Sequence, residues 1–327
     1  MKINIDQFTL GSKKKEWAWF WKRQHKPAYF LNRLQWFYYP PLHHISRFPL
    51  HVDFETSSIC NMNCPMCFRP HRANQNDGLL DFEVYKKVID ECSKYNLYSI
   101  RLSWRGEPTK NPDLLNMAEY AKKKGIKEVS FLTNGLLLDE EFSRRLAEIR
   151  VDYISVSIDG LYKDYEKIRK PATFNGILNR LKYLKEVRDS IGKGYPRIKV
   201  NTIWTKIKDR IEEYYSIFGP LADIISFNPD YDYSEKSSPV SSKHICQYPW
   251  QRLTVKWNGD VPMCISDWDS EVVLGNVKNN TLHSIWHGEK MNEIRKNMLC
   301  QKILNYAPCR KCHRPTTEQI GNVNPVK

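Results

Sequence analysis

Between about residue 50 and residue 230, short β-branched runs alternate with longer segments in which apolar residues recur every three or four positions. The runs 52–56, 99–103, 129–132, 154–158, 198–203 and 224–227 predict six strands. The intervening helices have readable starts. Asp81 is placed to cap a helix carrying Phe82, Tyr85, Ile89 and Cys92 on one side, and Asn111 with Pro112 reads as a cap followed by proline at the first helical position. Asp139 precedes Glu140 and Glu141 in another first turn, and Thr173 precedes a helix with Ile177, Leu181 and Leu184. Strand–helix alternation repeated six times predicts a parallel sheet with right-handed crossovers, hence an α/β fold. Six units rather than eight predict a partial (β/α)6 TIM-like barrel, open on one side, with its chemistry at the C-terminal ends of the strands.

The flanks break this rhythm. Residues 1–45 form a basic, aromatic-rich arm in which Trp17, Phe20 and Trp21 share a helical face. A second short helix after Pro27 is expected to turn Phe30, Leu31 and Leu34 inward. The first reading of the arm is a clasp on the main domain; the second is membrane-surface contact, ahead of nucleic acid, which is disfavoured as a partner. The barrel is assigned residues 46–235. The stretch 231–243 is serine-rich and reads as a linker, and residues 236–327 hold five of the nine cysteines in a small, metal-held C-terminal module.

Composition narrows the class. With 327 residues, 41% hydrophobic and 27% charged, the chain reads as globular and not disordered. No apolar run has the length of a membrane span, and the basic start lacks the apolar stretch of a secretory signal, so a cytoplasmic address is expected. Cysteines there point to metal ligation rather than disulfides. The formal net charge of +14 points to an anionic partner or to a plain basic surface.

Cys60, Cys64 and Cys67 stand in Cys-x3-Cys-x2-Cys-Phe directly after the first strand. Three thiolates can hold three corners of a four-iron cluster and leave one iron open. A zinc site closed by His71 is the alternative. Ser103-Trp-Arg-Gly-Glu-Pro108 ends the second strand, Leu132-Thr-Asn-Gly135 the third, and Ser155-Val-Ser-Ile-Asp-Gly160 the fourth. Cys246, Cys264, Cys309 and Cys312 form a later set, with Cys300 left over; four cysteines with a Cys-x2-Cys pair also fit structural zinc.

The first loop, followed by Phe68, resembles the signature of the radical S-adenosylmethionine (SAM) superfamily, and the later set resembles its SPASM/Twitch extensions. That resemblance spans residues near 50 to 315 and implies SAM and two [4Fe-4S] clusters as cofactors. One cluster would bind SAM through Cys60, Cys64 and Cys67, and an auxiliary one would be held by the four later cysteines. It also implies SAM contacts from Phe68, from the turn Gly106, Glu107 and Pro108, and from Asn134, Ser157 (ribose), Asp159 and Arg169 (methionine carboxylate). The implied activity is reductive cleavage of SAM to a 5′-deoxyadenosyl radical that removes a hydrogen atom from a substrate C–H bond. Oxidation and epimerisation are both open outcomes, Cys300 being the candidate hydrogen-atom donor ahead of Cys92, which reads as core. Asn228, Asp230 and Tyr231 are candidates for substrate contact. A sugar-like or other small anionic substrate is preferred, with flavodoxin or ferredoxin as the low-potential electron donor. A peptide-modifying maturase and a non-catalytic, zinc-stapled nucleic-acid-binding protein are the alternatives.

Overall fold

Each of the six runs forms a strand in the computed structural model, which describes residues 8–10, 17–18, 20–72, 76–192, 194–230, 241 and 243–312. They are β2 (His51–Phe54), β3 (Ser99–Arg101), β4 (Glu128–Thr133), β5 (Tyr153–Ser157), β6 (Arg197–Ile203) and β7 (Ile224–Asn228). All are parallel and adjacent in chain order. Two further strands cover the edges of this open barrel: β1 (Phe8–Leu10) pairs antiparallel with β7, and β8 (Arg252–Val255) pairs parallel with β2. The C-terminal module therefore contributes a strand to the barrel sheet. Its β9 (Asp260–Pro262) and β10 (Val273–Asn276) form a separate hairpin.

The helices are α1 (Lys26–Tyr38), α2 (Phe82–Lys94), α3 (Leu114–Lys123), α4 (Glu140–Ile149), α5 (Tyr162–Ile168), α6 (Phe174–Ile191), α7 (Ile211–Phe218), α8 (Leu282–Trp286), α9 (Glu289–Leu299) and α10 (Ala307–Arg310). The side chains of Asp81, Asp139 and Thr173 accept first-turn N–H groups of α2, α4 and α6. Asn111 does not cap α3, which begins after Asp113. Asn111 Oδ1 accepts the Asp113 N–H at 2.9 Å just before the helix, while its Nδ2 donates to the carbonyls of Thr56 (2.8 Å) and Leu80 (3.1 Å).

The strands alternate strictly. Val52, Phe54, Ile100, Val129, Phe131, Ile154, Val156, Ile198, Val200, Ile225, Leu253 and Val255 join one hydrophobic core with the helices. The residues between them (His51, Asp53, Ser99, Arg101, Ser130, Ser155, Ser157, Lys199, Asn201, Ser226, Arg252 and Thr254) share the other face by register. A parallel sheet covered on both faces reads as nearly continuous apolar runs. Here the second face is a polar, concave lumen. In it Arg101 and Arg252 approach Asp53 at 2.8 and 3.3 Å. Burial alone would raise the Asp53 carboxyl, but these two guanidiniums hold it well below the usual carboxylate range.

The arm closes the floor of this lumen. From α1, Asn32 Nδ2 donates to the Leu50 carbonyl at 3.1 Å, and the Trp36 carbonyl accepts from Gln251 Nε2 at 2.9 Å. Upstream, Arg23 pairs with Glu128 at the start of β4, and Tyr195 OH donates to the Lys22 carbonyl at 2.8 Å. The inward residues of α1 are thus Tyr29, Asn32, Arg33 and Trp36. Phe30, Leu31 and Leu34, expected inward, are 42%, 58% and 47% exposed. The helix turned over because Asn32 satisfies the Leu50 carbonyl at the barrel floor, which an apolar face would strand.

Candidate functional site

The first cysteine loop leaves β2 and returns beside it. Ser57 bridges to Leu79, Ser58 Oγ accepts the Gly78 N–H at 2.8 Å, and Asp77 is held by Arg69 (2.8 Å) and Arg72 (3.0 Å). Within the loop the Cys67 N–H donates to the Cys64 carbonyl at 3.0 Å, and the Arg69 N–H points at the Cys67 sulfur at 3.5 Å. Burial pushes Cys64 up to about 11; Arg169 opposes the rise, while Cys67, Asp159 and Cys60 add to it. Burial raises Cys60 too, against the Met62 N–H, and Cys67 adds to that rise. The three thiols thus lie close together on one short loop. His71 is exposed on the following turn.

The Gly-Glu-Pro turn supports this loop from behind. The Glu107 N–H donates to the Ile59 carbonyl at 2.8 Å. A methyl group on Gly106 would collide with the Ser57 carbonyl oxygen and lie 2.5 Å from the Ser58 carbonyl carbon and 2.6 Å from the Ile59 oxygen. The missing side chain at Gly106 thus lets the cysteine loop itself approach closely. Gly106→Ala should destabilise the protein by about 1–3 kcal/mol and lower the iron retained after reconstitution, as thermal melting and iron assay would read.

Glu107 is buried, and Pro108 opens the short turn that follows it. Glu107 Oε1 accepts from Thr109 Oγ1 (2.7 Å) and Thr133 Oγ1 (2.6 Å), and Oε2 accepts the Asn134 N–H at 2.7 Å. Burial raises its pKa against these donors. With one donor at Oε2 among the described residues, that oxygen has capacity for an incoming ammonium. Asn134 Nδ2 continues the chain to Asn61 Oδ1, beside Cys60, at 2.7 Å, while Gly135 takes the left-handed turn at φ +81°. Asn61 and Thr133 were not singled out from the sequence, because partners this distant along the chain leave no local spacing.

At the fourth strand Ser157 ends β5 on the lumen face, buried and in register with Asn201. Asp159 Oδ2 accepts from Arg169 through Nε (2.7 Å) and Nη2, and Oδ1 accepts the Ile203 N–H at 2.9 Å. Arg169 is therefore fixed next to the Cys64 thiol by a resident carboxylate. Asn228 ends β7, Asp230 accepts from Thr205 at 2.6 Å and lies 3.1 Å from Lys206, and Tyr231 lies outside the described residues.

The later cysteines meet in one cavity. Cys246, Cys264, Cys309 and Cys312 line it with His244, Tyr248 and Met263. Burial raises the Cys264 thiol well above its ordinary value, reinforced by the other three cysteines, and Cys309 to about 12, reinforced by Cys246 and Cys312. Among the described residues no three His, Cys, Asp or Glu side chains converge on a single-ion site. Cys300 does not belong to the cavity; it is exposed at the C-terminal end of α9. Cys92 is fully buried in the core on α2.

The two cysteine regions touch. Phe68, next to Cys67, stacks on Trp268 with centroids 4.8 Å apart. Trp104 Nε1 donates to the Ile265 carbonyl (2.9 Å) and Arg105 Nη1 to the Trp268 carbonyl (2.6 Å). Arg105 in turn forks onto Glu55 at 2.5 and 2.7 Å. The turn after β3 thus holds the module over the barrel mouth.

Known proteins match the same two regions. A family model described as the radical SAM superfamily matches residues 54–201, and one described as an iron–sulfur cluster-binding domain, SPASM, matches residues 246–313. A tungsten-containing aldehyde ferredoxin oxidoreductase cofactor-modifying protein of Pyrococcus furiosus is 26% identical over 316 residues, covering 80% of this chain and 86% of its own. Fe-coproporphyrin III synthase of Methanosarcina barkeri is 30% identical over 173 residues, 53% of this chain and 41% of its own. A probable GTP 3′,8-cyclase of Methanococcus maripaludis is 29% identical over 175 residues, 52% of this chain and 56% of its own. The chain spans about half the length of these last two. Among solved structures, BtrN in complex with AdoMet and 2-DOIA aligns with a TM-score of 0.56 at 18% identity, covering 80% of this chain and 92% of its own. The anSMEcpe structure with bound AdoMet gives 0.60 at 17%, covering 80% and 88%. At these identities the likeness is one of fold.

Proposed function

The chain belongs to the radical SAM superfamily and carries a SPASM domain, and from that premise we propose that it oxidises a C–H position of a small, polar, anionic substrate held in the barrel lumen. Its cofactors are SAM and two iron–sulfur clusters. Cys60, Cys64 and Cys67 fit the SAM-binding cluster, since three thiolates on one loop would hold three irons and leave the fourth open. Cys246, Cys264, Cys309 and Cys312 fit a closed auxiliary cluster. When bound, the first cluster supplies the electron that splits SAM into methionine and a 5′-deoxyadenosyl radical, and the second supplies an electron acceptor.

The residues around them have separate tasks. Glu107 Oε2 offers an acceptor to the ammonium of SAM, and Arg169, oriented by Asp159, offers a guanidinium to its carboxylate. Gly106 and Asn134 hold the cysteine loop in place, and Ser157 faces the ribose side. The arm closes the floor and the module covers the mouth, which keeps water from a reactive radical. Neither spare thiol lines the lumen, Cys92 being packed in the core and Cys300 exposed; this favours oxidation over epimerisation.

The observation that carries the substrate class is the charge of the lumen. Among the described residues its cations Arg101, Arg197, Lys199, Arg252 and Lys256 outnumber its carboxylates Asp53, Glu55 and Glu128, and Glu55 already holds Arg105. Among the described residues the buried hydroxyls of Ser155 and Thr254 have no hydrogen-bond partner, as suits a site that expects a polar ligand. Lys256, extending β8 towards the mouth, is buried and its pKa lowered, first by burial and then by Arg105; Asp260, 3.9 Å away, with Glu55 and Asp267, offsets only part of this, and a bound anion would offset more. Two relatives named for a coproporphyrin and for GTP, both anionic, agree with this class. Matched pairs of neutral and phosphorylated or carboxylated compounds should be compared for stimulation of 5′-deoxyadenosine formation with SAM and dithionite. The anionic members should stimulate, and Lys256→Gln should raise the concentration they require roughly tenfold. Equal stimulation by the neutral members would remove the assignment.

A further inference from the structure

The outer face of α1 has no role in closing the barrel, yet it is apolar. Leu31 and Leu34 are 58% and 47% exposed, and Tyr38, two turns along, is 60% exposed. Trp17 and Trp21, at 51% and 60%, extend the face through contacts with Phe20, which also meets Phe30 at 5.0 Å. Lys26 sits 5.0 Å over the Trp21 ring, and Lys22 is half-exposed. A surface helix ordinarily buries its apolar stripe. Here the stripe points to solvent, and a contiguous exposed face of this kind marks an interaction surface.

We propose that this face docks on the surface of a bilayer containing anionic phospholipid. Aliphatic side chains ringed by tryptophan, tyrosine and lysine match the layered polarity of a bilayer interface, where aromatic rings sit at the headgroups and lysine stems reach outwards. The formal net charge of +14 draws the chain to a negative surface. The same charge disfavours a second copy, since pairing would bring two strongly basic molecules together. Among the described residues no helix is long and apolar enough to cross a membrane, so the contact lies on the surface. Because α1 packs under the N-terminal ends of the strands, docking turns the cysteine loops at the opposite ends away from the lipid.

The test is co-sedimentation of the full chain with vesicles of phosphatidylcholine alone and of phosphatidylcholine mixed with phosphatidylglycerol. Binding to the mixed vesicles should be at least about tenfold tighter and should weaken as salt is raised. Leu31→Glu/Leu34→Glu should abolish it with the melting temperature kept, since both side chains already face solvent. Tyr38→Glu, a milder change on the same face, should weaken it severalfold. Equal binding to both vesicles, or binding that survives both variants, would overturn the proposal. So would a concentration-dependent dimer in light scattering that these variants dissolve, which would give the face to a second copy.

Discussion

Cys64→Ala is expected to end 5′-deoxyadenosine formation, whereas Cys312→Ala should leave it within a few-fold of the parent protein and lower substrate turnover instead. The asymmetry follows from position. Cys64 is the buried member of the first set, beside Arg169 and Asp159, and its loss takes one of three ligands from the proposed SAM-binding cluster. Cys312 lines the separate cavity with three other cysteines, so its loss leaves three ligands there and the first loop untouched. Reconstituted parent protein should carry about eight irons per chain, and Cys64→Ala roughly half that. Anaerobic incubation with SAM and dithionite, with 5′-deoxyadenosine and iron measured on the same samples, separates the two variants. Comparable loss of cleavage in both would contradict this division between the two cysteine sets.

Much of this arrangement is legible along the chain because it is local. A β-branched run between turn residues forms a strand wherever a helix can cover it, and all six runs did so. The caps at Asp81, Asp139 and Thr173 depend on residues two or three positions away, so they too can be read directly. What the sequence hides is long-range. The fork of Arg105 on Glu55, the stack of Phe68 on Trp268 and the docking of β8 on β2 join residues about fifty to two hundred positions apart. The polar lumen had a readable sign, since His51, Asp53 and Glu55 alternate with Val52 and Phe54. Attention to β-branched content alone passes over it. The inverted α1 had none: an apolar stripe predicts the buried face only where the surface beneath it is apolar, and the floor of this barrel offers carbonyls and charges.

Arg105→Met should be the most destabilising single change on the barrel side of the module. Arg105 is 4% exposed and Glu55 fully buried, so removing the guanidinium strands a carboxylate where water cannot reach it. The expected cost is about 3–5 kcal/mol, a fall in melting temperature of about 10 °C. Glu55→Leu/Arg105→Met removes both charges and should recover much of that loss, because the penalty lies in the unpaired charge rather than in the missing contact. One part should not recover. Nη1 of Arg105 also holds the Trp268 carbonyl, and Trp268 stacks on Phe68 beside Cys67. Amide hydrogen exchange in the segment around Trp268 should therefore accelerate in the single and the double variant alike. A single variant costing less than about 1 kcal/mol would mean that the pair behaves as an exposed ion pair. Restored exchange in the double variant would mean that Trp268 is held by packing alone, and that the turn after β3 does not fasten the module to the barrel.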